Sequence, residues 1–439
     1  MFRSPRLALI RLIGLVWFTT VVTMFGPSVV DSSSGQGVSR PTLSPTLTPG
    51  TCTDGPSGIS AGSGSVRSIR LGHPLSALAV SQATGHVFAF SQATYQDRVD
   101  HCPNRIYMFD AQAATLLQTV AVPGEFSSPV VDDRRNRVLV ATWVSGNGDG
   151  KVVMLDARSD RVLATVMVGG FPGPIIIDEK DGRAFVYTYG PNCCNPQVKT
   201  IDIRTARVIP TPPIPIGQSF ALDTNRQRVY TMDGQHLQAF DGQTGRRLWT
   251  RGVRPCGTSY RLTFVPQDDR LFISKLGYVD ARSGQKQNGY LCVLDAAAHR
   301  IVHLRNEGPG GRILVLAIDE PAQAVLGIVP TTAYVGGAAA PSTTGQVVVL
   351  DPGDAHVVRR LGVEASDAVV DSQTGRVYLL QLGFHTATIL MLNPHGWRST
   401  VLAQDVQATT MALSSRMHRL FLASPFSDTV TILCTAKNC

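Results

Sequence analysis

Between Val66 and Leu433 the chain alternates short apolar runs, mostly rich in β-branched residues, with clusters of Asp, Asn, Gly, Thr and Arg. Runs of this length bounded by turn residues predict strands. In the clearest unit, Val152-Val153-Met154-Leu155-Asp156 is followed by Arg161 to Val166, a Gly169-Gly170-Phe171-Pro172-Gly173-Pro174 link, Ile175-Ile176-Ile177-Asp178, and Arg183 to Tyr187. The same order returns along the chain: strand, tight polar turn, second strand, variable loop, third strand ending in Asp or Asn, tight turn, fourth strand.

The entry to the second strand marks each copy. It stands at His86, Arg137, Arg183, Arg228, Arg270, Ala324, Arg376 and Arg419. Spacings of about 42 to 54 residues match four-stranded propeller blades. Third strands end at Asp110, Asp156, Asp202, Asp241, Asp295, Asp351 and Asn393, where a short side chain can accept backbone N–H groups two residues on. The predicted fold is all-β, a single propeller of eight blades, with a seven-bladed ring containing one irregular unit as the alternative. The last unit has only three strands, and a lone strand, Val66 to Leu71, precedes the first. That strand is expected to complete the last blade and so close the ring, which removes the main open edge.

These repeats resemble the YVTN-type β-propeller repeats of surface-layer-like and periplasmic propellers. Thr244-Gly245 and Thr374-Gly375 keep the turn pattern, and Val168-Gly169 with Pro172, and Val253 with Pro255, keep all or part of the blade link. The resemblance implies a non-enzymatic binding or scaffold role outside the cytoplasm. A second fragment, Ala239 to Trp249, is similar to the tryptophan-docking repeat of quinone-dependent dehydrogenases, and the vicinal Cys193-Cys194 resembles the vicinal disulfide that lies against the cofactor in some of those enzymes. That resemblance implies the rival function, an exported quinoprotein-like or metal-dependent enzyme using the central channel. The motif does not recur blade after blade, however, and no calcium ligand set can be assigned.

Outside the repeats the pattern changes. Leu7 to Phe25 is an apolar run broken by Arg11 and preceded by Arg3 and Arg6. It predicts a signal peptide or signal anchor over residues 1–30, with the remainder exported. Residues 31–65 are rich in Ser, Thr, Pro and Gly and read as a flexible linker. The propeller then spans 66–434 and a short tail 435–439. The membrane is met through the N-terminal segment only.

Composition narrows the chemistry. The net charge of +8 is spread among acids, as in Asp132-Asp133-Arg134-Arg135, without the basic stripe and interleaved aromatics of a nucleic-acid binder; the basic residues read as solvated turn positions. Eight cysteines, Cys52, Cys102, Cys193, Cys194, Cys256, Cys292, Cys434 and Cys439, suit disulfides in an oxidising compartment, and their connectivity is open.

In such a fold the first-to-second and third-to-fourth turns share one face, and the second-to-third loops and blade links share the other. The long connections, Ser91 to Asn104, Thr188 to Gln197, Lys275 to Asn288 and Pro330 to Gly345, all fall on the second face. That rim is the expected site for an extracellular protein, peptide or glycan. On its first loop Asp97, Asp100 and His101 are weak metal candidates, beside a plainer reading as a polar loop stapled by Cys102. Asn147-Gly148-Asp149-Gly150 fits a glycine turn better than a calcium loop. His299 and His303 run from a turn into a strand and are assigned no ligand role, and His236, His356, His385 and His395 fall singly. No catalytic residue and no cofactor is expected.

Overall fold

The computed structural model describes residues 58–60 and 66–436, apart from 92–102, 128, 145–147, 160, 191–195, 218, 258–260, 276, 280–284, 310–312, 331–344 and 384–385. These residues form eight antiparallel sheets around a ring. Blade 1 consists of Leu75–Val80, His86–Ser91, Asn104–Asp110 and Thr115–Val122 in that order from the axis outwards. The blade is a meander because each connection joins neighbouring strands.

The ring closes as the repeat pattern requires. Val66–Arg70 pairs antiparallel with Thr429–Cys434, Val66 opposite Leu433 and Arg70 opposite Thr429, as the outer strand of blade 8. Within the stretch read as linker, Gly58–Ser60 forms a further short strand outside it. Side chains from blades 8 and 1 then share one core: Ile69, Phe421 and Ile432 pack with Leu78, Val87 and Phe109. Phe109 and Phe421 meet edge to face at 6.1 Å. Burying each such ring contributes about 1.5–3 kcal/mol. The closing contact is therefore the same kind of sheet-on-sheet core that separates blades 2 and 3 or 6 and 7.

One face carries the tight turns, and their geometry is uniform. The fifth residue of every first-to-second turn has positive φ: Gly85, Asn136, Gly182, Gln227, Asp269, Gln323, Gly375 and His418. Where an aspartate opens the turn it accepts N–H groups from inside it, as Asp223 does from Asn225 and Arg226, both at 3.0 Å. In the third-to-fourth turns Asp241 accepts from Gln243 and Thr244. Partial burial would raise the Asp241 carboxyl, but those N–H groups outweigh it and hold the group below its ordinary range.

The recurring arginines do more than keep these turns solvated. Arg183 donates to Gly242 O, Arg270 to Gly353 O, and Arg419 to Gln112 O at 2.7 Å, each reaching the third-to-fourth turn of another blade. They stitch the ring together, which explains a basic residue at a fixed place in most repeats.

Three elements depart from the simple repeat. The first strand of blade 2 is split into Glu125–Phe126 and Val130–Asp132. The fourth strand of blade 3 is split into Arg207–Val208 and Ile214–Pro215, where Pro210, Pro212 and Pro213 cannot donate to a ladder. Inside the predicted loop from Lys275 to Asn288, Tyr278–Val279 pairs back onto Lys286–Gln287, so part of that loop is a hairpin.

Candidate functional site

The two faces present different side chains. On the tight-turn face the residues at the channel mouth are committed to neighbouring blades. Asp133 accepts from Ser81 Oγ at 2.7 Å and from the N–H groups of Gln82 and Ala83 at 3.1 Å. Gln82 Nε2 in turn donates to Leu413 O of blade 8 at 2.7 Å, and Glu179 accepts from Asp133 N–H. These polar groups lock blades 8, 1, 2 and 3 edge to edge.

On the opposite face large apolar side chains reach solvent. Most exposed large hydrophobic residues lie on the outermost strands, such as Leu117, Leu163 and Val401. Those that do not, among the described residues, are Val144, Tyr189 and Phe426, and each sits where a second strand leaves for the third. Phe426 is 86% exposed. Its loop is tied to the ring-closing link by Leu75 N–H donating to Ser424 O and Ser427 O, both at 3.2 Å. Tyr189 is held edge to face against Tyr187 at 4.8 Å. Beside the Phe426 loop, His73 Nδ1 is 2.7 Å from the Tyr107 hydroxyl and its Nε2 is 3.1 Å from Arg105 Nη1, while Arg70 pairs with Asp428 at 2.7 Å. Phe426 in blade 8 and Tyr189 in blade 3 thus present exposed aromatic tips on this face, and the His73–Tyr107–Arg105 hydrogen bonds stand beside the Phe426 loop.

The residues singled out from sequence divide as follows. Asp97, Asp100 and His101 lie outside the described residues, as do Cys52, Cys102, Cys193, Cys194 and Cys439. Cys256, in the link from blade 4 to blade 5, is disulfide-bonded to Cys292 in the third strand of blade 5, with Cα atoms 6.3 Å apart. Cys434 is also disulfide-bonded. Gly148 adopts φ +62°, as a glycine turn requires. The Trp249 ring lies against His299 of blade 5 with centroids 4.4 Å apart and planes tilted by 31°, so the tryptophan of the quinoprotein-like fragment docks one blade against the next. Burial, followed by the nearby Arg228 and Arg251, lowers the His299 pKa.

Two groupings were not anticipated. Asp351, Asp354 and His356 bring one ligand atom each within 4.8 Å of one another; their Asp-x-x-Asp-x-His spacing was the available signal. Asp351 Oδ1 is occupied by the N–H groups of Gly353 and Asp354, and His356 Nδ1 lies 2.7 Å from Asp354 Oδ1, so the set builds a turn. The second is a set of exposed apolar side chains on one face, Phe426, Tyr189 and Val144, which no motif marks.

A channel runs along the ring axis, with a volume of about 280 Å³ and lining from all eight inner strands. Its wall is mostly apolar, with Val131, Ile176, Leu222, Leu262, Ile318 and Leu413, and Thr263 adds a hydroxyl residue at the centre of the blade 5 inner strand. Among the described residues, no helix is long and apolar enough to cross a membrane.

No family model matches the chain, and no curated protein matches it. Among solved structures, BamB from Moraxella catarrhalis is similar over 85% of this chain and 99% of its own, at 16% identity and a TM-score of 0.50. Sqt1 from Saccharomyces cerevisiae is similar over 82% of this chain and 95% of its own, at 10% identity and a TM-score of 0.57. At such identities the likeness speaks for the fold alone, and the fold is a single eight-bladed β-propeller.

Proposed function

We propose that this propeller is an exported, YVTN-type module, secreted or held at a membrane by its N-terminal segment, and that it works as a non-enzymatic binder or scaffold. Its partner is a protein, peptide or glycan engaged by the rim that carries the second-to-third connections. The observation that carries this reading is the uneven distribution of exposed apolar side chains, with Phe426, Tyr189 and Val144 all on that rim. An exposed aromatic anchor on a hydrogen-bonded base is the arrangement from which binding hot spots are built.

The test compares the full chain with Phe426→Ala/Tyr189→Ala and with Arg134→Glu on the tight-turn face, using crosslinking on intact cells followed by identification of the adducts. The rim variant is expected to lose a defined adduct about ten-fold or more, because truncating one aromatic anchor removes 1–2 kcal/mol or more. Loss in Arg134→Glu alone would overturn the assignment of the face. Protection of the propeller from added protease until the cells are lysed would overturn the exported location.

A further inference from the structure

The chain enters the propeller on the long-loop rim. Gly58 stands opposite Arg70 and Ser60 opposite Ser68. Arg70 in turn stands opposite Thr429, which opens the third strand of blade 8 directly after the Phe426 loop. The strand Gly58–Ser60 therefore starts at the rim and runs away from it, and its first residue lies two strands from that loop.

The Phe426 loop is fixed by its backbone. Leu71 N–H donates to Asp428 O at 2.7 Å and Ser427 N–H to Ser424 O at 3.1 Å, and Phe426 N–H donates to Ser424 Oγ at 3.2 Å. These bonds add to those from Leu75 and hold the loop that presents Phe426 at 86% exposure. Single exposed apolar side chains are common on protein surfaces; this one is distinguished by its place beside the entry of the chain. The neighbouring carboxylate, Asp428, is paired with Arg70, so its charge is compensated where an anionic headgroup would meet it.

The apolar run expected to hold the chain at a membrane ends at Phe25, and 32 residues, Gly26 to Ser57, lie between it and Gly58. A coil of that length spans about 30 Å on average, and confinement within such a distance gives an effective concentration in the millimolar range. A contact with a millimolar dissociation constant is then about half occupied. Because the chain enters at the rim of blade 8, that corner is the part of the propeller brought nearest the bilayer. An apolar side chain projecting from a polar surface is favoured at the boundary between headgroups and acyl chains.

We infer that the rim faces the membrane that holds the chain, and that the Phe426 loop seats on its phospholipid surface with the phenyl ring at the headgroup boundary. The inference rests on the anchored form of the proposed function and narrows it: the protein, peptide or glycan that the rim engages lies at the same membrane, met on blades 2 and 3 where Val144 and Tyr189 stand exposed.

The test reconstitutes the full chain in vesicles of phosphatidylcholine and phosphatidylglycerol, checks by flotation that it is vesicle-bound, and places a photoreactive benzoylphenylalanine at position 426 or at position 134. Both positions are exposed, and Arg134 lies on the tight-turn face. Because a six-residue strand sets the two faces about 20 Å apart, lipid adducts at 426 are expected about ten-fold or more above those at 134. Equal lipid labelling at both positions, or none at 426 in a floating chain, would overturn the inference. On intact cells, a protein adduct at 426 with no lipid adduct would also overturn it while leaving the rim as the partner surface. A chain that does not float removes the anchor and the inference with it, and leaves the rim reading to the crosslinking of Phe426→Ala/Tyr189→Ala.

Discussion

Asp132 in blade 2 and Asp319 in blade 6 end the same inner strand of their blades, and both are 0% exposed. Each accepts the N–H of the residue three positions on, Arg135 at 3.0 Å and Ala322 at 3.1 Å. In each turn the fifth residue has positive φ, Asn136 at +53° and Gln323 at +49°. What differs is the side chain at the fourth position. Arg135 turns back to Asp132 Oδ2 at 3.1 Å and also donates to Glu179 O of blade 3 at 2.6 Å. Ala322 can do neither, and Asp319 Oδ2 is buried with no partner. Burial pushes the Asp319 carboxyl up to about 6, against an ordinary 3.8. One backbone thus carries a stabilising ion pair in blade 2 and an uncompensated acid in blade 6. Blade 4 repeats the blade 2 solution, with Arg226 joining Asp223 at 3.1 Å and reaching Asp269 of blade 5.

The largest loss of stability is expected at Asp132. Asp132→Ala removes the turn acceptor and leaves the partly buried Arg135 without its counter-charge, at a cost of about 3 kcal/mol. Urea denaturation should show it as a lower midpoint with an unchanged slope. An effect below about 1 kcal/mol would mean that the bond to Glu179 O holds the turn by itself.

The reverse outcome is expected in blade 6. Because the folded-state pKa of Asp319 is raised, the folded chain holds a proton that the unfolded chain releases, so stability falls as pH rises from about 4 to about 6. Asp319→Asn is therefore expected to leave stability unchanged near pH 4 and to raise it by about 2 kcal/mol at pH 8. The difference between variant and wild type cancels Asp367, whose carboxyl is also raised by burial. A pH-independent difference would show that the acid is compensated in solution.

Both turns also mark the reach of the sequence. Asp132, Asp223, Asp319 and Asp371 announce their turns because an aspartate after an apolar run has few other uses, and eight strand entries announce eight blades. The left-handed fifth position is legible at Gly85, Gly182 and Gly375 but not at Gln227, Asp269 or His418, where the blade imposes the conformation on residues that do not prefer it. Phe426 could not be recognised as exposed, because a phenylalanine beside apolar strands predicts burial, and its exposure comes from a loop clamped at Ser424 and Ser427. The electrostatic link between Arg261 of blade 5 and Asp367 of blade 7 could not be read, since blade 6 stands between them and only ring closure fixes their angle about the axis. Inner strands buried on every side read as continuous apolar runs, so periodicity does not say which residues face the channel.

A substitution in blade 6 can add the missing partner of Asp319 and remove nothing. At Gly182 of blade 3 an added Cβ would meet the Arg135 guanidinium at 2.6 Å, which shows where that side chain lies. The equivalent Gly375 of blade 7 faces Pro321 Cβ at 3.4 Å and Asp319 Oδ1 at 3.5 Å, with no arginine between the turns. Ala322→Arg would set a guanidinium where Arg135 sits, within reach of Asp319 Oδ2. Its gain is limited by the rotamer entropy of a long side chain and by partial exposure, so about 1 kcal/mol is expected at pH 8, with none near pH 4 where Asp319 is protonated. The same substitution should return the Asp319 carboxyl towards or below 4, readable by carboxyl-carbon NMR as a shift of its titration midpoint. In Asp319→Asn/Ala322→Arg the arginine has no charge to meet and should add nothing to Asp319→Asn alone. An equal gain in both backgrounds would mean that the arginine acts through blade 7, and that Asp132 and Arg135 owe their stability to the inter-blade bond and not to each other.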